Sequence, residues 1–255
     1  MLGIGGGVFI VPALQLLPLT VEFSPQLAAG TSLTMIVFKA FSSSSGYARQ
    51  KRIDYKIGLL LATASIPGAF VGAYLTDIIA EELLIFIFAL FLLYVASRMI
   101  FTSSLGNFKV FTRQRSGWHR RLVDYDGKVF EYFADVRLGL ILSFFAGVSA
   151  GLLGIGGGSL MVPILHFALC FPLHLAVATS VFIMIFTSIS GVTTHLYLGN
   201  VHFGYAFLLI VGVIFGAQIG AVVAKRVSSK NLRRIFGVIL VLVSLRMILK
   251  FLGLP

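Results

Sequence analysis

The sequence is poor in charged residues and has a single cysteine. Asp, Glu, Lys and Arg make up 11% of its 255 residues, whereas soluble domains contain about 25%. Acidic residues number 9 against 20 Lys and Arg, which gives a formal net charge of +11. The lone Cys170 excludes a disulfide framework within the chain. The sequence also contains no Walker loop, no CxxC pair and no metal-ligand spacing, and we expect no cofactor.

Long apolar segments dominate what is present. Hydrophobic residues make up 58% of the chain, and its mean hydropathy is +1.00. A helix of about 20 apolar residues crosses a hydrocarbon layer roughly 30 Å thick. The segments therefore predict an all-α polytopic membrane protein surrounded by lipid. In such a protein the excess of Lys and Arg indicates how the chain is oriented in the membrane, and not a nucleic-acid partner. They cover residues 27–47, 57–76, 83–101, 175–198, 203–224 and 235–252.

The chain contains two copies of one unit. A GIGGG motif at 3–7 is followed by Val11-Pro12, and the same motif at 154–158 is followed by Val162-Pro163. Beyond the motifs, residues match at an offset of 148. Such register is typical of the internal repeats of transporters. The matched positions include Thr31-Ser32 with Thr179-Ser180, Gly68 with Gly216, Gly72 with Gly220, and Arg98 with Arg246.

We assign residues 1–101 to the first repeat, 102–136 to a linker and 137–255 to the second repeat. Each repeat has a glycine motif and three spanning segments, and the second motif lies between short apolar stretches at 138–153 and 159–171. The first repeat has no counterpart of the 138–153 arm, and we expect that arm to lie upstream of the sequence start. The GxxxG pairs of both repeats are expected to be helix-packing faces.

The linker at 102–136 is the one sizeable polar segment. It has a basic run over 113–121 and a turn at 124–127, and residues 128–132 alternate between polar and apolar. The alternation is compatible with a small β hairpin. A charged linker beside anionic lipid is the favoured interpretation.

Equivalent loops of the two repeats differ in charge, which indicates that the repeats are inverted. The loop at 49–56 has four cations and its mate at 199–200 has none, whereas residues 77–82 are acidic and their mate at 225–234 has five cations. Under the positive-inside rule, the two basic loops and the linker at 102–136 are cytoplasmic and the C-terminus is outside. This arrangement places 17 of the 20 cations at or beside cytoplasmic loops. It also requires the second glycine hairpin to return to the side on which it entered.

The two glycine tips predict an anion-binding site at the middle of the membrane. Irregular backbone at that depth is tolerated only where protein or a polar cavity surrounds it. A helix is expected to begin after each tip, and helix starts attract anions through unpaired N–H groups. The alternatives are close helix packing at the glycines and hydroxyl bonds to carbonyls of the same helix. The residues predicted to bind substrate are Gly5, Gly6, Gly7, Gly156, Gly157, Gly158, Ser159, Thr31, Ser32, Thr179 and Ser180.

Lys39 belongs to the same predicted site. It is the only cation well inside a predicted spanning segment, and its mate in the second repeat is Thr187. A charge at that depth is costly, which makes Lys39 a candidate counter-charge for the anion. Snorkelling of the side chain to an interface is the alternative.

A family resemblance rests on the second glycine motif and its surroundings. Residues 151–158, GLLGIGGG, run into Val162-Pro163, and Ala178-Thr179-Ser180 follows. Together with the matching first copy, this combination resembles the TauE/SafE family of sulfite exporters over nearly the whole chain. The resemblance implies transport of small sulfur-containing or organic anions, such as sulfite, thiosulfate and sulfoacetate, across the bacterial inner membrane.

The leading hypothesis is a secondary transporter, and not an enzyme, that exports such an anion by alternating access around the midplane site. A monovalent anion that leaves the cell gains about 2.3 kcal/mol per 100 mV of membrane potential, so export needs no ATP. Two alternatives stay open. One is an intramembrane serine hydrolase that uses Ser159 with His166 or His195 as the base, and the other is a membrane scaffold that transports nothing.

Overall fold

The computed structural model describes residues 6–16, 22–101, 117–125, 127, 129–213 and 229–252. The helices begin and end within three residues of the predicted apolar segments wherever these are described, except that α9 begins six residues before position 235. The helices are α1 (Gly7–Leu16), α2 (Pro25–Arg49), α3 (Tyr55–Ile78), α4 (Glu81–Phe101), α5 (Val136–Leu153), α6 (Gly158–Pro163, continued by a π-helical turn over Ile164–Ala168), α7 (Leu173–Tyr197), α8 (Phe203–Val213) and α9 (Ser229–Phe251).

The helical, apolar character of the chain agrees with a membrane protein. Among the described residues, α3, α5 and α7 are long and apolar enough to cross a membrane. The arm predicted as a short stretch at 138–153 is α5, whose 18 residues are long enough to span a membrane. The remainder of the segment predicted at 203–224 lies outside the described residues beyond position 213.

The linker contains a β hairpin, which departs from the all-α expectation and from the favoured charged linker. Strand β1 (Trp118–Val123) pairs antiparallel with β2 (Val129–Ala134). In β2, Phe130, Tyr132 and Ala134 are buried while the alternate residues are exposed. Burial therefore alternates along β2, because one face of the hairpin packs against the helices. Residues 102–116 lie outside the described residues.

Glycines bring α3 and α5 into backbone contact. A Cβ atom on Gly68 would meet the carbonyl oxygen of Phe144, and one on Gly72 would lie 2.9 Å from Val148 Cα. From the other side, a Cβ atom on Gly151 would lie 2.7 Å from Ala73 N. The predicted packing role of the first GxxxG pair thus matches the contacts, since any side chain would force the helices apart. Gly216 and Gly220 lie outside the described residues.

The middle of the protein is formed by α2 and α7. These helices share a buried apolar cluster that includes Leu33, Ile36 and Met184. Helix α1 and the turn before α6 pack against this pair, since Gly7 and Gly156 both lie against Ile36. The two glycine motifs are thereby positioned on the same central helices.

We expect Gly72→Ala to destabilise the protein and Gly46→Ala to leave it equally or more stable. Both glycines are helical, but a Cβ atom at Gly72 would strike the Val148 backbone, whereas nothing lies within 4 Å of one at Gly46. Overpacking at Gly72 should lower the free energy of unfolding by about 1–3 kcal/mol. Alanine at an unobstructed helical position should raise it by up to about 1 kcal/mol. Thermal unfolding of both variants in detergent measures the difference, and equal stability would contradict the close contact of α3 and α5.

Candidate functional site

The two glycine motifs meet in the structure. A Cβ atom on Gly7 would strike the carbonyl oxygen of Gly154 and lie 2.8 Å from Ile155 Cα. Gly6 lies nearby, with a Cβ position 3.5 Å from Lys39 Nζ. Only glycine permits such an approach of two backbones, because any side chain would occupy the space. The candidate Gly5 lies outside the described residues.

The second tip requires glycine for a conformational reason as well. Gly154, Gly156 and Gly157 have φ angles of 69°, 69° and 76°. This left-handed region is costly for residues with a Cβ atom. The left-handed Gly154 ends α5, and the left-handed Gly157 precedes α6, whose first residue is the buried Gly158. The turn therefore reverses the chain within four residues and starts a new helix.

Ser32 holds the second tip in place. Its hydroxyl donates a hydrogen bond of 2.9 Å to the carbonyl oxygen of Gly154, and the side chain is fully buried. The predicted role of Ser32 was a hydroxyl facing the substrate. In this structure its hydroxyl binds the tip of the other repeat.

Thr31 and Thr179 make equivalent bonds across the repeats. The hydroxyl of Thr31 accepts a bond of 3.0 Å from the backbone N–H of His202, and that of Thr179 accepts one of 3.1 Å from the backbone N–H of Asp54. Asp54 and His202 are themselves 148 residues apart in the sequence, as are the two threonines. Each threonine therefore fastens the loop that precedes a helix of the other repeat.

A narrow cleft lies beside the second tip. Its volume is about 170 Å³, and it is too narrow to hold a water molecule. Ser180 lines it, although its hydroxyl donates to the Val177 carbonyl oxygen of its own helix at 2.8 Å. Of the predicted residues, the structure brings Gly156, Gly157 and Ser180 to this cleft. The rest of its lining is Ala146, Gly147, Met161, Ile183, Met184 and Thr187.

Ser159 and Lys39 lie close to the two tips but outside that lining. Ser159 is only 9% exposed, and among the described residues its Oγ has no hydrogen-bond partner. Lys39 is half-buried on α2, with its ammonium group beside Gly6. The Lys39 ammonium group therefore lies near the start of α1, and the buried Ser159 hydroxyl lies at the start of α6.

The histidines proposed as bases for a hydrolase are engaged elsewhere. His166 Nδ1 lies 2.8 Å from the Phe171 carbonyl oxygen, and His195 Nε2 lies 3.0 Å from that of Gly151. Neither histidine is hydrogen-bonded to Ser159 Oγ. The nucleophile–base contact that a serine hydrolase needs is not formed between these residues.

Comparison with known proteins identifies the family. A family model described as sulfite exporter TauE/SafE matches residues 1–247 of the chain. The chain belongs to the TauE/SafE family.

TauE/SafE relatives resemble the chain over most of their length. It is 32% identical to YunE of Bacillus subtilis, a probable membrane transporter protein, over 97% of the chain and 91% of that protein. It is 27% identical to a probable membrane transporter protein of Xylella fastidiosa strain Temecula1, over 97% of the chain and 88% of that protein. No solved structure matches the chain significantly. These likenesses indicate a membrane transporter and not an enzyme.

Asp54 is a residue of this TauE/SafE protein that sequence reasoning missed. Its buried carboxylate accepts bonds from Arg120 Nε at 2.8 Å, Arg120 Nη2 at 2.9 Å and the Tyr132 hydroxyl at 2.6 Å. It also accepts a bond of 3.1 Å from the Ile57 amide, at the start of α3. Its place directly before a helix, with His202 as its mate at the 148-residue offset, was the signal in the sequence.

The charge state of this TauE/SafE cluster follows from its bonds. Burial by itself raises the pKa of a carboxyl group, but the bonds from Arg120, Tyr132 and Ile57 together hold the pKa of Asp54 below its ordinary value. Burial and the bond to Asp54 raise the pKa of Tyr132, so its hydroxyl stays protonated and donates. At neutral pH the cluster therefore contains an ionised carboxylate beside a guanidinium.

We expect Thr31→Val and Thr179→Val to destabilise the protein more than Thr34→Val does. Valine has the same shape but no oxygen, so the first two changes leave the amides of His202 and Asp54 without their partners. An orphaned buried amide costs about 1–3 kcal/mol of stability. Thr34 only bonds the Gly30 carbonyl oxygen of its own helix, which makes it the matched control. Thermal unfolding in detergent measures all three, and an equal loss for Thr34→Val would contradict the role of the other two.

Proposed function

We propose that this TauE/SafE-family protein is a secondary transporter that exports a small sulfur-containing anion from the bacterial cytoplasm by alternating access. The substrates we favour are sulfite, thiosulfate and organosulfonates such as sulfoacetate. The observation that carries the proposal is the contact between Gly7 and Gly154, because it brings the glycine tips of the two repeats together.

The tips suit an anion because each leads into the start of a helix. Helix α1 begins at Gly7 and α6 begins at Gly158. The first N–H groups of a helix have no partner within it and carry roughly half a positive charge. Glycine at both starts places no side chain between this backbone and a ligand that enters when the tips move apart, and helix starts in broken transporter helices bind anionic groups through their backbone.

Two side chains complete the proposed site. The Lys39 ammonium group beside Gly6 supplies a full positive charge at the first tip. The Ser159 hydroxyl, buried and without a partner among the described residues, supplies a donor at the second. In our proposal Gly5, Gly6, Gly156, Gly157 and Ser180 form the rest of the site, while Thr31, Ser32 and Thr179 hold its frame.

The reciprocal threonine bonds support inverted repeats. In each repeat a backbone N–H donates to a threonine hydroxyl of the other repeat, as a two-fold axis between them would require. The charges of equivalent loops differ, which agrees with an axis in the membrane plane. In the proposed topology the loops at 49–56, 102–136 and 225–234 are cytoplasmic, and the C-terminus is outside.

Alternating access accounts for the narrow cleft. The space between α5, α6 and α7 does not admit water, so an anion reaches it only after the helices move apart. All of its lining residues belong to the second repeat, so the occluded state in our proposal is a closed cleft beside the second glycine tip. Outward movement of a monovalent anion is favoured by about 2.3 kcal/mol per 100 mV of membrane potential, which drives export without ATP.

The transport test uses purified protein in proteoliposomes with an imposed potential. We expect flux of radiolabelled sulfite, thiosulfate or sulfoacetate, and no flux of any of them would contradict the proposal. Ser159→Ala and Lys39→Met should each raise the half-saturation concentration by about tenfold, the effect of about 1.4 kcal/mol of lost binding energy. Ser97→Ala is the control, because in the described part of the chain Ser97 bonds only the Tyr94 carbonyl oxygen of its own helix. An unchanged half-saturation concentration in both site variants would place the anion elsewhere.

The inverted topology predicts the sidedness of two exposed tyrosines. Tyr197, at the end of α7, is 89% exposed and should lie outside, whereas Tyr125, in the hairpin turn, is 76% exposed and should lie in the cytoplasm. In a Cys170→Ser background, Tyr197→Cys should react with a membrane-impermeant maleimide in intact cells. Tyr125→Cys should react only after lysis. Labelling of both in intact cells would refute the topology.

A further inference from the structure

The β hairpin is bound to the first repeat by polar contacts. The Tyr125 amide donates a bond of 3.1 Å to the Gln50 carbonyl oxygen, and Arg52 forms an ion pair of 3.2 Å with Asp124. Arg120 binds the Asp54 carboxylate with two hydrogen bonds. All three contacts fall on residues 50–54, the loop between α2 and α3.

The same hairpin is bound to the second repeat by apolar contacts. The ring centroids of Tyr132 and Phe171 lie 4.2 Å apart. Phe130 and Tyr132 belong to one buried cluster with Leu165 and Leu169. The hairpin therefore spans the two repeats on one side of the protein.

Asp54 connects this hairpin to the wall of the cleft. Its carboxylate is fully buried and binds Arg120 and Tyr132, while its backbone N–H binds the Thr179 hydroxyl. Ser180, the next residue along α7, lines the cleft. A movement of α7 that widens the cleft on this side must therefore break the bond between Thr179 and Asp54, displace Asp54, or break the bonds of Asp54 to the hairpin.

The opposite side of the molecule is built differently at the equivalent position. His202 is the mate of Asp54. Its ring centroid lies 6.0 Å from that of Phe23 and 5.0 Å from that of Tyr205. Among the described residues no ion pair involves His202. The ionic connection thus occurs on the hairpin side and is not a general property of the repeat.

We propose that the hairpin is a strap that keeps the transport site closed on its own side of the membrane, and that the Asp54–Arg120–Tyr132 cluster is its fastening. This inference rests on the proposed function, because only a transporter has a site to close. Opening on this side then requires the carboxylate to exchange its three donors on the hairpin for water or for new partners. Since a buried charge without partners is strongly unfavourable, the closed state is favoured while the fastening is intact.

Two conservative variants loosen the strap without removing its bulk. Tyr132→Phe removes the 2.6 Å donor, and Asp54→Asn removes the charge while keeping an oxygen for the Ile57 amide. Arg121→Gln is the control, because among the described residues Arg121 pairs only with Glu131 on the exposed face of the hairpin, at 3.6 Å. Each change is made in a Cys170→Ser, Ser180→Cys background, in which the reporter cysteine lines the cleft.

The readout is the rate at which a small maleimide labels the reporter in lipid nanodiscs. Loss of a hydrogen bond to a charged group should increase the open fraction, and with it the labelling rate, by roughly tenfold in Tyr132→Phe and Asp54→Asn. Arg121→Gln should label at the parental rate. Parental rates in both cluster variants, with the proteins folded by size exclusion and thermal unfolding, would overturn the strap.

Labelling and transport distinguish the strap from the proposed function. Faster labelling in the cluster variants supports the strap whether or not any tested anion is transported, since the readout needs no substrate. Anion flux together with unchanged labelling would leave the transporter intact and remove the strap. Equal acceleration by Arg121→Gln would show that any hairpin change loosens the protein, and would also overturn the assignment to Asp54.

Discussion

Contact between two stretches of backbone is the constraint on which the rest of the structure depends. Gly7 lies so close to the Gly154 carbonyl oxygen that position 7 has no space for a Cβ atom, and a Cβ atom on Gly154 would strike Ala29. Backbone without side chains cannot provide its own charges or hydroxyl groups, so those near the tips come from α2 and from the start of α6. Ser32 bonds the second tip, and Lys39 lies beside the first. The helices around the tips are arranged to support a contact that the tips alone could not maintain.

A nearly symmetric frame surrounds this contact, and one element breaks the symmetry. Thr31 and Thr179 make the same bond in opposite directions, which ties each repeat to a loop of the other. The hairpin packs on one side only, where Asp54 meets Arg120 and Tyr132. Symmetric bonds favour two equivalent arrangements of the repeats, whereas an added element on one side makes those arrangements unequal in energy. The two arrangements are then unequally populated.

Much of the fold was predictable from the sequence, but the bonds of the site were not. Apolar length located the helices, and the GIGGG motif located the turn at Gly154 to Gly157, because these residues adopt conformations that other residues avoid. Ser32 and the two threonines were expected to face a ligand, yet each bonds the backbone of the other repeat. A hydroxyl in an apolar helix always has a carbonyl of its own helix within reach. The sequence does not indicate whether the hydroxyl will bond a partner in another helix instead. For Asp54 the signals in the sequence were its place before a helix and its mate His202 at the 148-residue offset.

The sequence by itself determined that this chain is a helical membrane protein with two related halves and glycine tips. In lipid every backbone group must be satisfied within its own segment, so apolar length alone dictates helices. Tertiary structure alone decided that the two tips touch, and that Thr31 bonds His202, 171 residues away. It also decided that the charged linker folds as a hairpin over Asp54. Those outcomes depend on which surfaces meet, and the free energy of each contact exists only once helices distant in sequence have packed together.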